Sequence, residues 1–176
     1  MKVINISDKE ISYILNLAKK RHDAKPNSIK NTGILIDRNK FNPIENYLPH
    51  FIGLLGEYAW AKHTNQNIDE DIYLNRDAED FNVEEVKTIT YYVDGQPELK
   101  VKVQEYKTKK PNKYILARTN RNKILKILHT DLHKSLEIEL LGQISREDFD
   151  QKKTQKQYGP NNPLNYVVSL SNMNTI

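Results

Sequence analysis

Hydrophobic and polar positions change their period several times along the chain, and each change marks an element. Ile11, Ile14, Leu15 and Ala18 recur at helical spacing. Ser7 and Glu10 just ahead of them have the capping-box spacing. A helix is therefore predicted from about Asp8 to His22. Its last turn holds Lys19, Lys20, Arg21 and His22, where cations suit the helix dipole. Such a tail is either a solvated helix end or a contact for a phosphate backbone. Residues 23–47 contain Pro26, Gly33 and Pro43 and read as a long irregular connection. A loop of that length is often functional, for example as a flap. A second helix is predicted from Leu48 to Thr64, with Pro49 near its start.

Beyond Thr64 the period shortens. Ile72-Tyr73-Leu74 fits a short strand, residues 77–82 a turn and strand start, and residues 84–93 a central strand. Asp94-Gly95 is a hairpin signal, so Leu99, Val101 and Val103 are expected to return beside that strand. Residues 105–112 are Lys-rich and fit a loop or short helix. Tyr114 to Arg118 is a buried-strand candidate. Residues 123–128 fit a strand or short helix, and Leu136 to Gly142 a further strand. Ser145 to Phe149 opens a short helix with Ser145 as N-cap. Residues 152–163 read as irregular, and Tyr166 to Leu170 as a last apolar segment. The fold class expected is α/β, a mixed central sheet flanked by helices, in one domain over residues 1–176. An N-terminal helix and loop (1–47) precede the core (48–170).

Composition narrows the function. The 176 residues carry a net charge of +4 and no cysteine. Disulfides and thiolate metal sites are excluded, and a polyanionic partner is favoured. No apolar run reaches the length of a membrane span and no signal-peptide pattern opens the chain, so a cytoplasmic, soluble protein is expected. His129 and His133 are four apart but lack the Glu of a zinc-protease helix. There is no Walker-type phosphate loop and no nucleophile elbow.

Two stretches carry chemistry. On the second helix, the neighbours of Glu57 at three and four residues are Gly53, Leu54, Trp60 and Ala61, all small or apolar. Glu57 therefore projects inward. It must be paired, hold a metal or bond a backbone group there. Gly53 and Gly56 point to close approach of this helix to a sheet. The other stretch is Asp77 to Thr88. Strand alternation puts Glu85 and Lys87 on one face, with Asp77 and Asp80 upstream. A Glu-x-Lys pair is common on solvated strands, but hard oxygen ligands beside an ammonium also suit Mg²⁺ and a phosphate.

The order of these features resembles the PD-(D/E)XK nuclease superfamily, most of all its small stand-alone members from phages and mobile elements. Gly53-x-x-Gly56-Glu57-x-Ala59, Asp80-Phe81 and Glu85-Val86-Lys87-Thr88 carry the resemblance, which spans roughly residues 51–170. It implies a restriction-endonuclease-like core and a metal-dependent endonuclease that hydrolyses nucleic acid, DNA first. Mg²⁺ or Mn²⁺ would be held by Glu85 with Asp77 or Asp80. Glu57 would help place the metal or its water, and Lys87 would orient or activate the water. The family acid usually lies on a neighbouring strand. Asp80 leaves only four residues before Glu85, whereas Asp77 leaves more room, and both are kept. Lys107, Lys109, Lys110, Lys113 and Arg118 are candidate backbone contacts. The alternative is an inactive nuclease-fold factor that binds nucleic acid or protein. A homodimer is left open, and no membrane partner is expected.

Overall fold

The run Tyr114-Ile115-Leu116-Ala117 shows no polar alternation because its strand is buried on both faces. In a computed structural model, which describes residues 1–24, 43–68, 70, 84–90, 96–130 and 135–176, Ile115 and Ala117 enter one hydrophobic core and Tyr114 and Leu116 another. In chain order the elements are β1 (Lys2–Ile6), α1 (Asp8–Asp23), α2 (Pro43–Thr64), β2 (Glu84–Thr90), β3 (Glu98–Lys102), α3 (Val103–Thr108), β4 (Lys113–Thr119), α4 (Arg121–Thr130), β5 (Leu136–Ser145), α5 (Arg146–Lys152), β6 (Thr154–Lys156) and β7 (Asn165–Ser169). A short 3-10 turn, Leu170–Asn172, follows.

Among the described residues the architecture is mixed α/β with two sheets. The first has the order β1-β5-β4-β2; β4 pairs antiparallel with β5 and parallel with β2. The second is antiparallel, in the order β3-β7-β6. Helices α1, α2 and α4 pack on the first sheet through Ile14, Phe51, Leu55 and Ile124, among others. The second core joins Leu99 and Val101 of β3, Val168 of β7 and Phe149 of α5 to the opposite face of β4 and β5. A register shift where Leu116 meets Gly142 and Ala117 meets Leu140 adds one residue to β5. That bulge lets Leu140 face the first core and Ile144 the second. Among the described residues no helix is long and apolar enough to cross a membrane.

The helix ends follow local chemistry. The Glu10 carboxylate accepts from the Ser7 N–H and hydroxyl, each at 2.6 Å, and from Lys62 at 2.9 Å. At the end of α2, Asn65 takes a left-handed φ of 56°. The Gln66 N–H then reaches the Ala61 carbonyl at 2.9 Å, closing the helix in a Schellman-type turn.

The structure departs from the expected elements at several points. Helix α2 begins at Pro43, so Pro49 lies inside it. Strand β1 joins the first sheet through a five-residue segment too short to stand out. Within the stretch expected to be irregular, Thr154–Lys156 forms β6. The turn expected at Asp94-Gly95 lies outside the described residues; among those described, β3 pairs with β7 and β2 with β4. Leu99 and Val101 find their apolar neighbours in the second core. Val103 begins α3 instead of ending the strand.

Of the two glycines, Gly56 is the one at the close approach. A Cβ there would stand 3.1 Å from Ala117 Cβ and 3.2 Å from Thr88 Cβ, with Thr88 Oγ1 nearer still. At Gly53 it would meet only Glu57 Oε1, at 3.8 Å. Gly56→Ala is expected to lower stability in urea unfolding by about 1–3 kcal/mol through overpacking, despite a helix-propensity gain of about 1 kcal/mol. Burial pushes the Glu10 carboxyl up, but its bonds to Ser7 and Lys62 outweigh this and bring it to about 2. Its stabilising contribution is thus present above the ordinary carboxylate range and lost as pH falls toward 2. NMR titration should find that value, and Glu10→Gln should remove this part of the acid dependence.

Candidate active site

The register of β2 on β4 sets the site. Glu85 stands beside Tyr114 and Lys87 beside Leu116, on the side of the second core, while Val86 and Thr88 turn to the first. Glu85 is 3% exposed. A lone carboxylate so buried costs several kcal/mol, and two ammonium groups meet it. Lys87 Nζ donates to Oε1 at 2.7 Å. Lys109 Nζ reaches Oε1 and Oε2 at 3.1 and 3.0 Å. Lys87 also donates to Glu105 on α3, whose carboxylate lies beside Glu85 and 3.9 Å from Lys109.

Lys109 follows the last turn of α3, and Arg146 fixes that turn from α5. The guanidinium donates to the Lys109 carbonyl at 3.0 Å, the Tyr106 carbonyl at 3.2 Å and the Tyr114 hydroxyl at 3.4 Å. The start of α5 is held in turn, because Ser145 Oγ accepts from the Asp148 N–H at 3.0 Å. Loop, helix and strand are thereby locked around one carboxylate.

Glu57 projects inward, as its neighbours require, and is 8% exposed. Arg21 of α1 reaches its Oε2 at 3.1 Å. Burial pushes the Glu57 carboxyl up; Arg21 pulls it back in part, Glu85 pushes it further up and Lys109 opposes. Glu57 thus feels the Glu85 site although α2 packs on the other face of β2. Burial pulls the Lys87 ammonium down, yet Glu85 and Glu105 outweigh it and hold Lys87 above the ordinary lysine value. Glu105 is held below the usual carboxylate range because Lys87 outweighs its desolvation.

The structure brings together Glu85, Lys87 and Lys109 of the residues marked from sequence, while Glu57 pairs with Arg21 on the other side of β2. Asp77 and Asp80 lie outside the described residues. The expected backbone cations are unequal. Lys109 binds Glu85, Lys113 donates to Glu84 at 3.0 Å and Arg118 to Glu139 at 2.5 Å, while Lys107 and Lys110 are exposed. Sequence reasoning missed Glu105, Arg21 and Arg146 as members of the site. The available signal was the spacing of Glu105 and Lys109, four apart on a helical turn.

Carboxylate oxygens are the right donors for Mg²⁺. Both oxygens of Glu85 are nevertheless engaged by ammonium groups, and among the described residues no group of three or more His, Asp or Glu is placed to hold a metal ion. The described residues alone therefore do not fit a complete metal site. No protein-family model, no curated protein and no solved structure matches the chain.

Arg21→Met should cost about 3 kcal/mol at neutral pH by leaving Glu57 buried without its cation. The deficit should shrink as pH falls, since burial raises the Glu57 carboxyl and protonation removes its unpaired charge. Adding Glu57→Gln should recover most of it. A deficit that does not change with pH would show that Glu57 is not the group responsible.

Proposed function

We propose that the chain is a nuclease that hydrolyses phosphodiester bonds of nucleic acid, DNA first, on a restriction-endonuclease-like core. The observation that carries this reading is Glu85, 3% exposed and clasped by Lys87 and Lys109. A solvated Glu-x-Lys face would leave both groups in water. A buried, strongly coupled charge cluster is instead typical of functional sites.

The residues divide the work by their charge states. Lys87, held protonated by two carboxylates, supplies positive charge to phosphoryl oxygens and is not a base at neutral pH. Glu57, whose carboxyl burial pushes up, is held by Arg21 on the helical side of β2. In hydrolysis, water oxygen bonds to phosphorus, the ester P–O bond breaks, the water's proton passes to a base and the leaving oxygen takes up a proton to depart as a hydroxyl. Arg146 and Glu105 hold Lys109 and Lys87 in place. Mg²⁺ or Mn²⁺ belongs to the proposal through Glu85 and Asp77 or Asp80, and the cleavage assay tests it directly.

A second reading rests on charge balance. Among the described residues Glu57, Glu85 and Glu105 are met by Arg21, Lys87 and Lys109, an arrangement that also suits an inactive nuclease-fold binding factor of a phage or mobile element. Supercoiled plasmid with Mg²⁺, Mn²⁺ or chelator separates the two. Metal-dependent nicking is expected, reduced about 100-fold or more in Glu85→Gln and Lys87→Met. Absence of nicking with either metal, with DNA binding retained by both variants, would establish the binding factor instead.

A further inference from the structure

The second sheet turns Leu99, Val101 and Val168 into the core, so its other face is set by register. Lys102 pairs with Asn165, and Asn165 pairs with Lys156. These three stand in one row across β3, β7 and β6. Strands lie about 4.8 Å apart, which puts the two lysine backbones about 10 Å from each other. The next row holds Lys100, Val167 and Thr154, and Glu98 stands beside Ser169 in the row beyond. Three exposed lysines therefore share the face with one glutamate.

An aromatic ring lies among them. Tyr158, 39% exposed, has Lys100 Nζ at 4.0 Å and Lys156 Nζ at 4.8 Å from its ring centroid. Its hydroxyl donates to Glu98 Oε2 at 2.5 Å, and Lys156 holds the same carboxylate at 3.0 Å. The glutamate thus fixes the ring and the lysine instead of leaving them mobile, which reduces the ordering cost of binding. Lys102 immediately precedes α3, so this row ends one helical turn, about 5 Å along the axis, from Glu105 beside Lys87.

We propose that this face binds single-stranded nucleic acid, with a base stacked on Tyr158 and the backbone held by Lys100, Lys102 and Lys156, and directs the strand toward Lys87. A positively charged track with an aromatic platform is what such strands require. Bases inside a duplex are already stacked and do not reach the ring. An acidic peptide would engage the lysines but leave the ring unused. The inference takes nucleic acid as partner from the proposed function and does not depend on hydrolysis.

The test is fluorescence anisotropy with labelled oligothymidylate in chelator, over a range of salt, with a matched duplex and polyglutamate as competitors. The Lys100→Ala/Lys102→Ala/Lys156→Ala protein should bind far more weakly, with a salt slope shallower by about 2. Tyr158→Ala should weaken the oligonucleotide about tenfold and leave the salt slope unchanged. Circular dichroism checks that both variants remain folded. Unchanged affinity in the triple variant, or no oligonucleotide binding by the wild type, overturns the proposal, as does stronger competition by duplex or polyglutamate than by unlabelled single strand. Oligonucleotide binding lost in these variants, in a protein that nicks no plasmid, would uphold the face and remove the nuclease reading. Nicking lost in Glu85→Gln, with binding insensitive to the lysines and Tyr158, would do the reverse.

Discussion

A carboxylate that water barely reaches stays charged only if cations come to it. Glu85 is such a group, and much of the chain's arrangement around β2 follows from meeting it. Lys87 comes from the same strand and face at no topological cost. Lys109 comes from a separate segment and arrives only because α3 ends where it does. Arg146 then holds that end through two backbone carbonyls and the Tyr114 hydroxyl. Glu105 shares Lys87 with Glu85, which places that ammonium between two carboxylates. Removal of any one member leaves the others with excess charge in a medium that screens poorly.

The two-faced burial of β4 makes this convergence possible. One face of the first sheet receives α1, α2 and α4, and the other receives the second sheet with α5. Among the described strands β2 lies at the margin of that sheet with β4 as its partner, and its side chains serve both sides. Thr88 lies against Gly56 of α2, and Glu85 looks toward α3. The Glu57–Arg21 pair lies on the helical side yet still acts on the Glu85 site. Charges on opposite faces of a thin sheet communicate because little water separates them.

Much of the helical layer was legible in the residues themselves. The capping box at Ser7 and Glu10 and the apolar spacing of Ile11, Ile14 and Ala18 place α1 within a residue of where it lies. The inward course of Glu57 follows from its small and apolar neighbours, and the shared face of Glu85 and Lys87 from strand alternation. Strand pairing was less legible: β3 satisfies its apolar face in the core with Phe149 and Tyr114 and pairs with β7. The short strands β1 and β6 carry too few residues for a period to be distinguished from chance.

The sequence by itself determined which side chains each helix and strand presents on a given face, because the 3.6- and 2-residue periods are properties of the backbone. It thereby determined the inward Glu57, the Glu85–Lys87 pair and the uninterrupted apolar run of β4. Only the tertiary structure decided that β2 pairs with β4, that Glu105 and Lys109 close on Glu85, and that Arg21 is the cation for Glu57. Glu57 and Arg21 lie 36 residues apart, and Glu85 and Lys109 lie 24 apart. No local period encodes contacts over such separations; burial of two cores on one sheet selects them.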